Sequence, residues 1–516
     1  MPFPAGHYTA LPLVEACNNV KLPSGPFEAG DCKLRLQRHQ HEQKWKSKMQ
    51  GGNNNVATSS ALDSSALADD DSDDEHASDE SSFDGEFLCP FFLDMPKHSA
   101  HENHSKSSNP PSRRPSSHRT SFSRMTPMPQ LRSSSPTFSF PGMYSPPEPS
   151  KRAQPIGFLR PSIVRALIAD NKKMVAMNCK PVWDTLPSIE YPPPARRPSY
   201  SQSRPHSRRN SLSATPRTQP GTPSESVTGA PLSTEPKSLR DALEKLNVSD
   251  IDVEKQVYAV SFADWVNEEG QECRREHIDR VVRGWKMTGE FAELLDGWRD
   301  EEYMIYGPRP ETENPLPGSN VAFTMERSAC ALFGFATFGV HLTAYIPATA
   351  DQSLRIWVPK RSATKQTWPG YLDNTVAGGI SAGDTPFDSI IRECVEEASL
   401  DPQFTSNHVR NAGVVVYNYR TKQGWLQPEV QYVYDLELPK DNSIQPRTND
   451  SEVESFELLT LEDVVSKMME GEFKPNCALV LCDFLMRHGY LTPESDARFL
   501  EVASGCRITL TLPGPA

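Results

Sequence analysis

Apolar residues are distributed in two regimes along the chain. Up to about residue 235 they are sparse and without period, apart from a few short pieces, and beyond it they recur at helix and strand spacings. In "FGFATFGVHLTAYIP" (333–347), Val340, Leu342, Ala344 and Ile346 alternate with Gly339, His341, Thr343 and Tyr345, which predicts a strand. "LRIWVPK", "AGVVVYNYR" and "VQYVYDLEL" read as further strands. "SLRDALEKLN" places Leu239, Leu243 and Leu246 on one helical stripe behind Ser238 as a cap, and "REHIDRVVRGWKMTGEFAELLDGWRDE" reads as one or two helices. Near the end, "TLEDVVSKMMEG" opens with Thr460 and Asp463 at capping-box spacing and closes at Gly471. "NCALVLCDFLMRHG" opens on Asn476 and closes at Gly489. Strands, a helix, more strands and terminal helices predict an α/β protein with helices on both faces of a mixed sheet.

The span Ser328–Ala348 approaches the roughly 20 residues needed to cross a bilayer. Its glycines, hydroxyl residues, His341 and Pro347, together with the two-residue period, predict a buried strand instead, and no membrane partner is expected.

Composition sharpens the division. Of 516 residues 47 are Pro and 36% are hydrophobic, so much of the chain cannot offset its conformational entropy by burial. Residues 25–85, 97–153 and 193–235 are dense in Ser, Pro, Asn, Arg and Asp and are expected to be disordered. The remaining pieces of 1–235, about 8–24, 85–96 and 154–192, are expected to belong to an N-terminal α+β companion domain. Residues 236–330 would complete it, and 331–512 would form the catalytic domain.

The net charge of −13 argues against general nucleic-acid binding. It conceals segregation: "DDDSDDEHASDE" is acidic, while 105–240 is rich in Arg, Ser and Pro. There, "RRPS", "RRPS" and "RRNS" place Ser116, Ser199 and Ser211 in the context of a basophilic protein kinase, unless the repeat is compositional. The tract lacks the interleaved aromatics of an RNA-binding segment. The 10 Cys contain no CxxC pair, and the N-terminus lacks the order of a signal peptide, so a reduced, cytoplasmic protein is expected.

The chemistry concentrates in "VAGGISAGDTPFDSIIRECVEEASL" (376–400). On a helix, Phe387, Ile390, Ile391, Cys394, Val395 and Ala398 share one face. Asp388, Arg392, Glu393, Glu396 and Glu397 share the other. A solvated face braced by Asp388–Arg392 and Arg392–Glu396 pairs would explain the charges alone. The preceding glycines favour a site, because they let backbone approach a ligand closely. Adjacent carboxylates beside such a loop suit Mg²⁺ or Mn²⁺, whose charge cancels their repulsion and bridges a diphosphate.

These residues resemble the Nudix box. Counting back from Arg392 puts its leading glycine at Gly378, followed by Asp384, Arg392–Glu393 and Glu396–Glu397. Asp384 replaces the usual Glu and Ser399 the usual Gly. Flanking stretches such as "WVPKRSATKQTWPGYLDNTVAGG" and "CDFLMRHGYLTPES" look like the thiamine-pyrophosphokinase-related Nudix proteins of fungi and plants. The resemblance implies a Nudix fold, an α/β/α sandwich. It also implies a diphosphatase acting on a small diphosphate, for this subfamily thiamine diphosphate or its oxy and oxo analogues. By position, Glu393, Glu396 and Glu397 would hold the metal, Gly378 would offer a carbonyl, and Arg392 would orient the carboxylates. The general base could be a box glutamate, Glu452 or Glu429. Lys360 and Arg361 would reach phosphate, and Trp368 and Tyr371 would stack on a ring.

Three rivals remain. Gly379–Gly383 fits the GxSxG pattern of a serine hydrolase, with Ser381 as nucleophile and His408 or His488 as base. A non-catalytic Nudix-fold scaffold would be regulated through the N-terminal half. A thiamine pyrophosphokinase is weakened by the absence of GxxxxGK[ST] from the chain.

Overall fold

The computed structural model describes residues 9–24, 32–40, 43, 86–95, 153–189, 252–310, 318–449 and 451–516. Residues 32–40, inside a stretch expected to be disordered, instead form a helix that buries Cys32 and Leu36. Apart from these and residues 43 and 153, the segments expected to be disordered lie outside the described residues, as do the helix expected at 238–247 and Ser116, Ser199 and Ser211.

Segments far apart in sequence build the N-terminal unit. Its sheet contains β1 (Cys89–Phe92), β2 (Gly157–Leu159), β3 (Trp183–Leu186) and β4 (Ala259–Phe262) in the order β2-β1-β4-β3. Phe91 pairs with Gly157 on one side and Val260 on the other, so the interrupted pieces meet in one sheet. Phe91, Trp183 and Phe262 pack within ring-centroid distances of 5.1–6.2 Å. A hairpin of β5 (Glu302–Tyr306) and β6 (Val321–Glu326) completes the unit.

Helix α1 (Leu11–Cys17) departs from expectation. It packs on the C-terminal helices of the second unit, because Leu11, Val14 and Cys17 form a stripe matching their apolar surface. The amide of Ala10 donates to Asp496 at 2.8 Å, and Asn18 donates to the carbonyl of Gly505 at 2.7 Å.

The second unit is a mixed sheet. Its strands are β7 (Thr337–Ile346), β8 (Arg355–Arg361), β9 (Val376–Gly379), β10 (Arg410–Arg420), β11 (Leu426–Glu437) and β12 (Val453–Thr460). The order is β10-β11-β7-β8-β12, with β9 also pairing β7. Helix α2 (Pro386–Glu396) buries Ile390 and Cys394 with Val340 and Leu342 on one face. On the other face, α3 (Leu461–Met469) and α4 (Pro475–Arg487) cover Val358, Val415 and Val433. Thr460 caps α3 by accepting from the Asp463 amide at 3.2 Å, as its spacing predicts. The span 328–348 contains the short helix Cys330–Phe333 and then the buried strand β7. Among the described residues no helix is long and apolar enough to cross a membrane.

One topological detail positions the site. Strand β7 pairs with β9 through Gly339–Leu342, but with β8 only at Tyr345–Ile346. Both neighbours lie on the same side of β7, so they diverge and a cleft opens between them.

Candidate active site

Gly378 and Ala377 lie on β9 against the charged face of α2. A Cβ on Gly378 would meet the Glu393 carboxyl carbon at 2.3 Å, so only glycine lets this carboxylate lie against the strand. The Ala377 amide donates to Glu397 at 3.1 Å. Glu397 is buried although it belongs to the polar face, whereas Phe387, expected on the apolar face, is 44% exposed. The end of α2 meets β9, where Glu393 lies against Gly378 and Glu397 accepts from Ala377, while Phe387 in its first turn stays open to solvent.

Burial, with repulsion from Glu393 and Asp373, pushes Glu397 up to about 8. Burial raises Glu393 to about 7, with Glu396, Glu301 and Glu452 adding to the effect and Arg392 opposing it. Arg392 pairs with Asp384 at 3.2 Å, Glu393 at 3.2 Å and Glu396 at 3.5 Å. Asp384 thus reaches the arginine despite its shorter side chain. Asp388 instead bonds Thr385, the cap of α2. Ser399 adopts φ 51°, the left-handed backbone for which glycine is favoured.

These groups open into a cavity of about 780 Å³. The N-terminal unit forms one wall. Glu301 pairs with Arg327 at 2.7 Å and accepts from Ser381 at 2.9 Å. Burial raises the Glu301 carboxyl, but Arg327 and these bonds outweigh it and hold it below its usual range. Glu452 faces the same cavity, bonded to Lys365 and 3.9 Å from Arg299. Burial raises it too, and Lys365 together with Arg299 and Arg327 more than reverses the effect. Lys474, at the start of α4, lines the cavity without an ion pair among the described residues.

The four expected substrate-binding residues separate. Arg361 and Trp368 line this cavity, whereas Lys360 and Tyr371 line a second one of about 450 Å³. Successive strand residues point to opposite faces, which sends Lys360 away from Arg361 and toward Glu454 at 3.2 Å. Arg361 is itself occupied, donating to the carbonyls of Trp368 and Thr367 at 3.0 and 2.8 Å and to Asp373 at 2.6 Å. It anchors the loop that carries Trp368. His341, Asp373 and Cys477 also cluster, fully buried. The Asp373 oxygens already receive Arg361, the Asn374 amide and the Cys477 thiol, so this cluster is a hydrogen-bonded brace.

Sequence reasoning missed Glu301, Arg327, Lys365 and Lys474, and also the Tyr417–Gln431–Asn476 network. None belongs to a local motif. Only the strand period offered a signal, since it places Gln431 and Glu429 on one face of β11, with Tyr417 opposite Glu429. The GxSxG arrangement does not assemble. Ser381 bonds Glu301, His408 bonds the Phe404 carbonyl at 2.8 Å, and His488 lies 3.0 Å from Asp435.

A glycine strand, an acidic helix and a mixed sheet flanked by helices define a Nudix fold. Residues 339–478 match the NUDIX domain family. The chain is 36% identical over 252 residues to an uncharacterized protein of Saccharomyces cerevisiae, covering 47% of this chain and 69% of that protein. It is 37% identical over 203 residues to Nudix hydrolase 20, chloroplastic, of Arabidopsis thaliana, and 34% identical over 203 residues to Nudix hydrolase 24, chloroplastic. Each plant match covers 39% of this chain, and the chain spans 50% and 52% of the plant proteins' lengths. Residues 339–478 thus carry a Nudix domain, and the chain is similar to Nudix hydrolases of plants.

Proposed function

We propose that the protein is a divalent-metal-dependent diphosphatase that hydrolyses the P–O–P bond of a small diphosphate to a monophosphate and phosphate. The observation that carries this reading is that Glu393 lies against Gly378 and Glu397 on the Ala377 amide, with Glu396 lining the same cavity, which also presents lysines and arginines. The donor set is all oxygen, which fits Mg²⁺ or Mn²⁺. Two of the three carboxylates have their charged form disfavoured by burial and mutual repulsion, which a divalent cation would relieve.

When bound, the metal would polarise the phosphoryl oxygens and lower the pKa of a coordinated water. Arg392 holds Glu393 and Glu396 in place through its ion pairs. Lys365 and Lys474 supply positive charge for the phosphates. Glu452 and Glu396 are placed to accept the proton of the attacking water, and Glu452→Gln and Glu396→Gln variants would distinguish them through their pH–rate profiles. Trp368 offers a face to the ring of the substrate.

The resemblance to thiamine-pyrophosphokinase-related proteins directs the choice of substrate to thiamine diphosphate and its oxy and oxo analogues. Phosphate release from these compounds, nucleoside diphosphates and dinucleotides, with Mg²⁺ and with EDTA, tests the reading. Turnover unaffected by chelation would defeat the metal mechanism. Diphosphate transfer from ATP to thiamine without net hydrolysis would replace the reaction class.

A further inference from the structure

Within the same cavity, side chains from β10, β11 and α4 form a polar floor. Glu429 on β11 lies opposite Tyr417 on β10, and Gln431 follows two residues later on the same face. Tyr417 Oη donates to Glu429 Oε2, and Gln431 Nε2 donates to that same oxygen at 2.7 Å. Gln431 Nε2 also reaches Tyr417 Oη at 3.0 Å, and Asn476 Nδ2 donates to Tyr417 Oη at 3.0 Å. Every donor in the network is therefore aimed at Tyr417 Oη or Glu429 Oε2. Among the described residues, Glu429 Oε1 receives no hydrogen bond and no Lys or Arg pairs with Glu429.

A further observation points the same way. Gln431 is 5% exposed, yet its Oε1 has no hydrogen-bond partner among the described residues, so this buried end of the floor is short of donors. An ionised carboxylate accepts only, so the ligand group that completes it must be a donor.

We propose that Glu429, positioned by Tyr417 and Gln431, is a specificity-determining residue whose Oε1 accepts a hydrogen bond from an N–H group on the substrate's heterocyclic ring. The proposal rests on the diphosphatase reading for its setting and deepens it by naming the ring chemistry selected. Glu429 is half-buried, and a site that presents such a fixed acceptor discriminates against a ligand lacking the donor, because the bond to the carboxylate is then not made. Glu429 would contribute to ring binding alike in ground and transition states, so its loss is read in KM more than in kcat.

The test compares thiamine diphosphate with the analogue in which hydrogen replaces the ring amino group. The full chain is expected to show a KM at least about 10-fold lower for the amino compound, and Glu429→Gln is expected to bring the two values within about 3-fold. Tyr417→Phe, which keeps the ring but removes one donor to Glu429, is expected to narrow the preference in the same direction, and carries the test should Glu429→Gln fail to fold. Calorimetry with thiamine and its deamino analogue, in the absence of phosphate and metal, reads the subsite without catalysis. Ring discrimination there, with no hydrolysis of any diphosphate, would count against the diphosphatase reading alone. Equal affinity of the wild-type chain for both rings overturns the proposal, as does a Glu429→Gln variant that loses kcat and Mn²⁺ affinity together.

Discussion

Gly378 and Glu393 approach so closely that a Cβ on the glycine would lie 2.3 Å from the carboxyl carbon and 2.5 Å from Oε1. The obstructing atoms are the end of a side chain, not backbone. Gly378→Ala is therefore expected to displace the carboxylate while leaving stability within about 1 kcal/mol, since the side chain can swing aside. Turnover should fall by about 10-fold or more as a metal ligand is misplaced. Wild-type kcat in a folded Gly378→Ala protein would show that Glu393 works from another position.

Glu396→Gln and Glu397→Gln are each expected to lower kcat by about 10²-fold or more with the fold retained, because stabilised transition-state charge in such sites is worth several kcal/mol. Removal of the metal with EDTA should abolish activity, and Mg²⁺ or Mn²⁺ should restore it. Activity assays beside circular dichroism check both outcomes.

The acidic pair makes the metal-free protein sensitive to alkali. Glu393 and Glu397 stand at about 7 and about 8, above the ordinary 4.5. The folded state thus prefers their protonated forms. That contribution is fully present below 4.5 and is lost as pH rises through 7 and 8. His341 has the opposite sign: burial holds it neutral with a pKa of about 4 against an ordinary 6.5, so its contribution is lost as pH falls toward 4. In EDTA, the melting temperature should decline between pH 6 and about 8 and recover with Mn²⁺, more at pH 8 than at pH 6. A melting temperature that climbs over this range without metal would contradict the electrostatics.

Arg361 and Lys360 are adjacent, yet their substitutions should differ. Arg361→Ala leaves the buried Asp373 carboxylate without its guanidinium, a cost of about 3–5 kcal/mol, and releases the Trp368 loop. Lys360→Ala loses one exposed ion pair, worth about 1 kcal/mol or less, and should leave KM unchanged. Trp368→Ala should raise KM about 5- to 150-fold with a smaller change in kcat, the range set by about 1–3 kcal/mol of stacking. Denaturant melts and steady-state kinetics on the three variants separate these roles.

Ser381→Ala removes only a hydrogen bond to Glu301. Turnover should stay within about 5-fold of wild type, and a fluorophosphonate probe should not label Ser381. Labelling with loss of activity would revive the serine-hydrolase alternative.

The acidic helix was legible in the sequence because its order rests on local physics. Spacings of three and four residues put Arg392, Glu393, Glu396 and Glu397 together on any helix, and Thr385 and Thr460 cap the helices that follow them. The two-residue period likewise revealed the buried strand β7. Local spacing could not say that the end of α2 would meet β9, leaving Phe387 exposed and Glu397 buried. Nor could it separate Lys360 from Arg361, whose fates depend on which face of β8 meets the cavity. The rest of the site was decided by tertiary structure alone. Glu301 and Arg327 arrive from the N-terminal unit, and Glu429, Tyr417 and Asn476 come together from two strands and a helix. Sheet register and the packing of one unit on the other bring these residues into one cavity, and neither is encoded over a few consecutive residues.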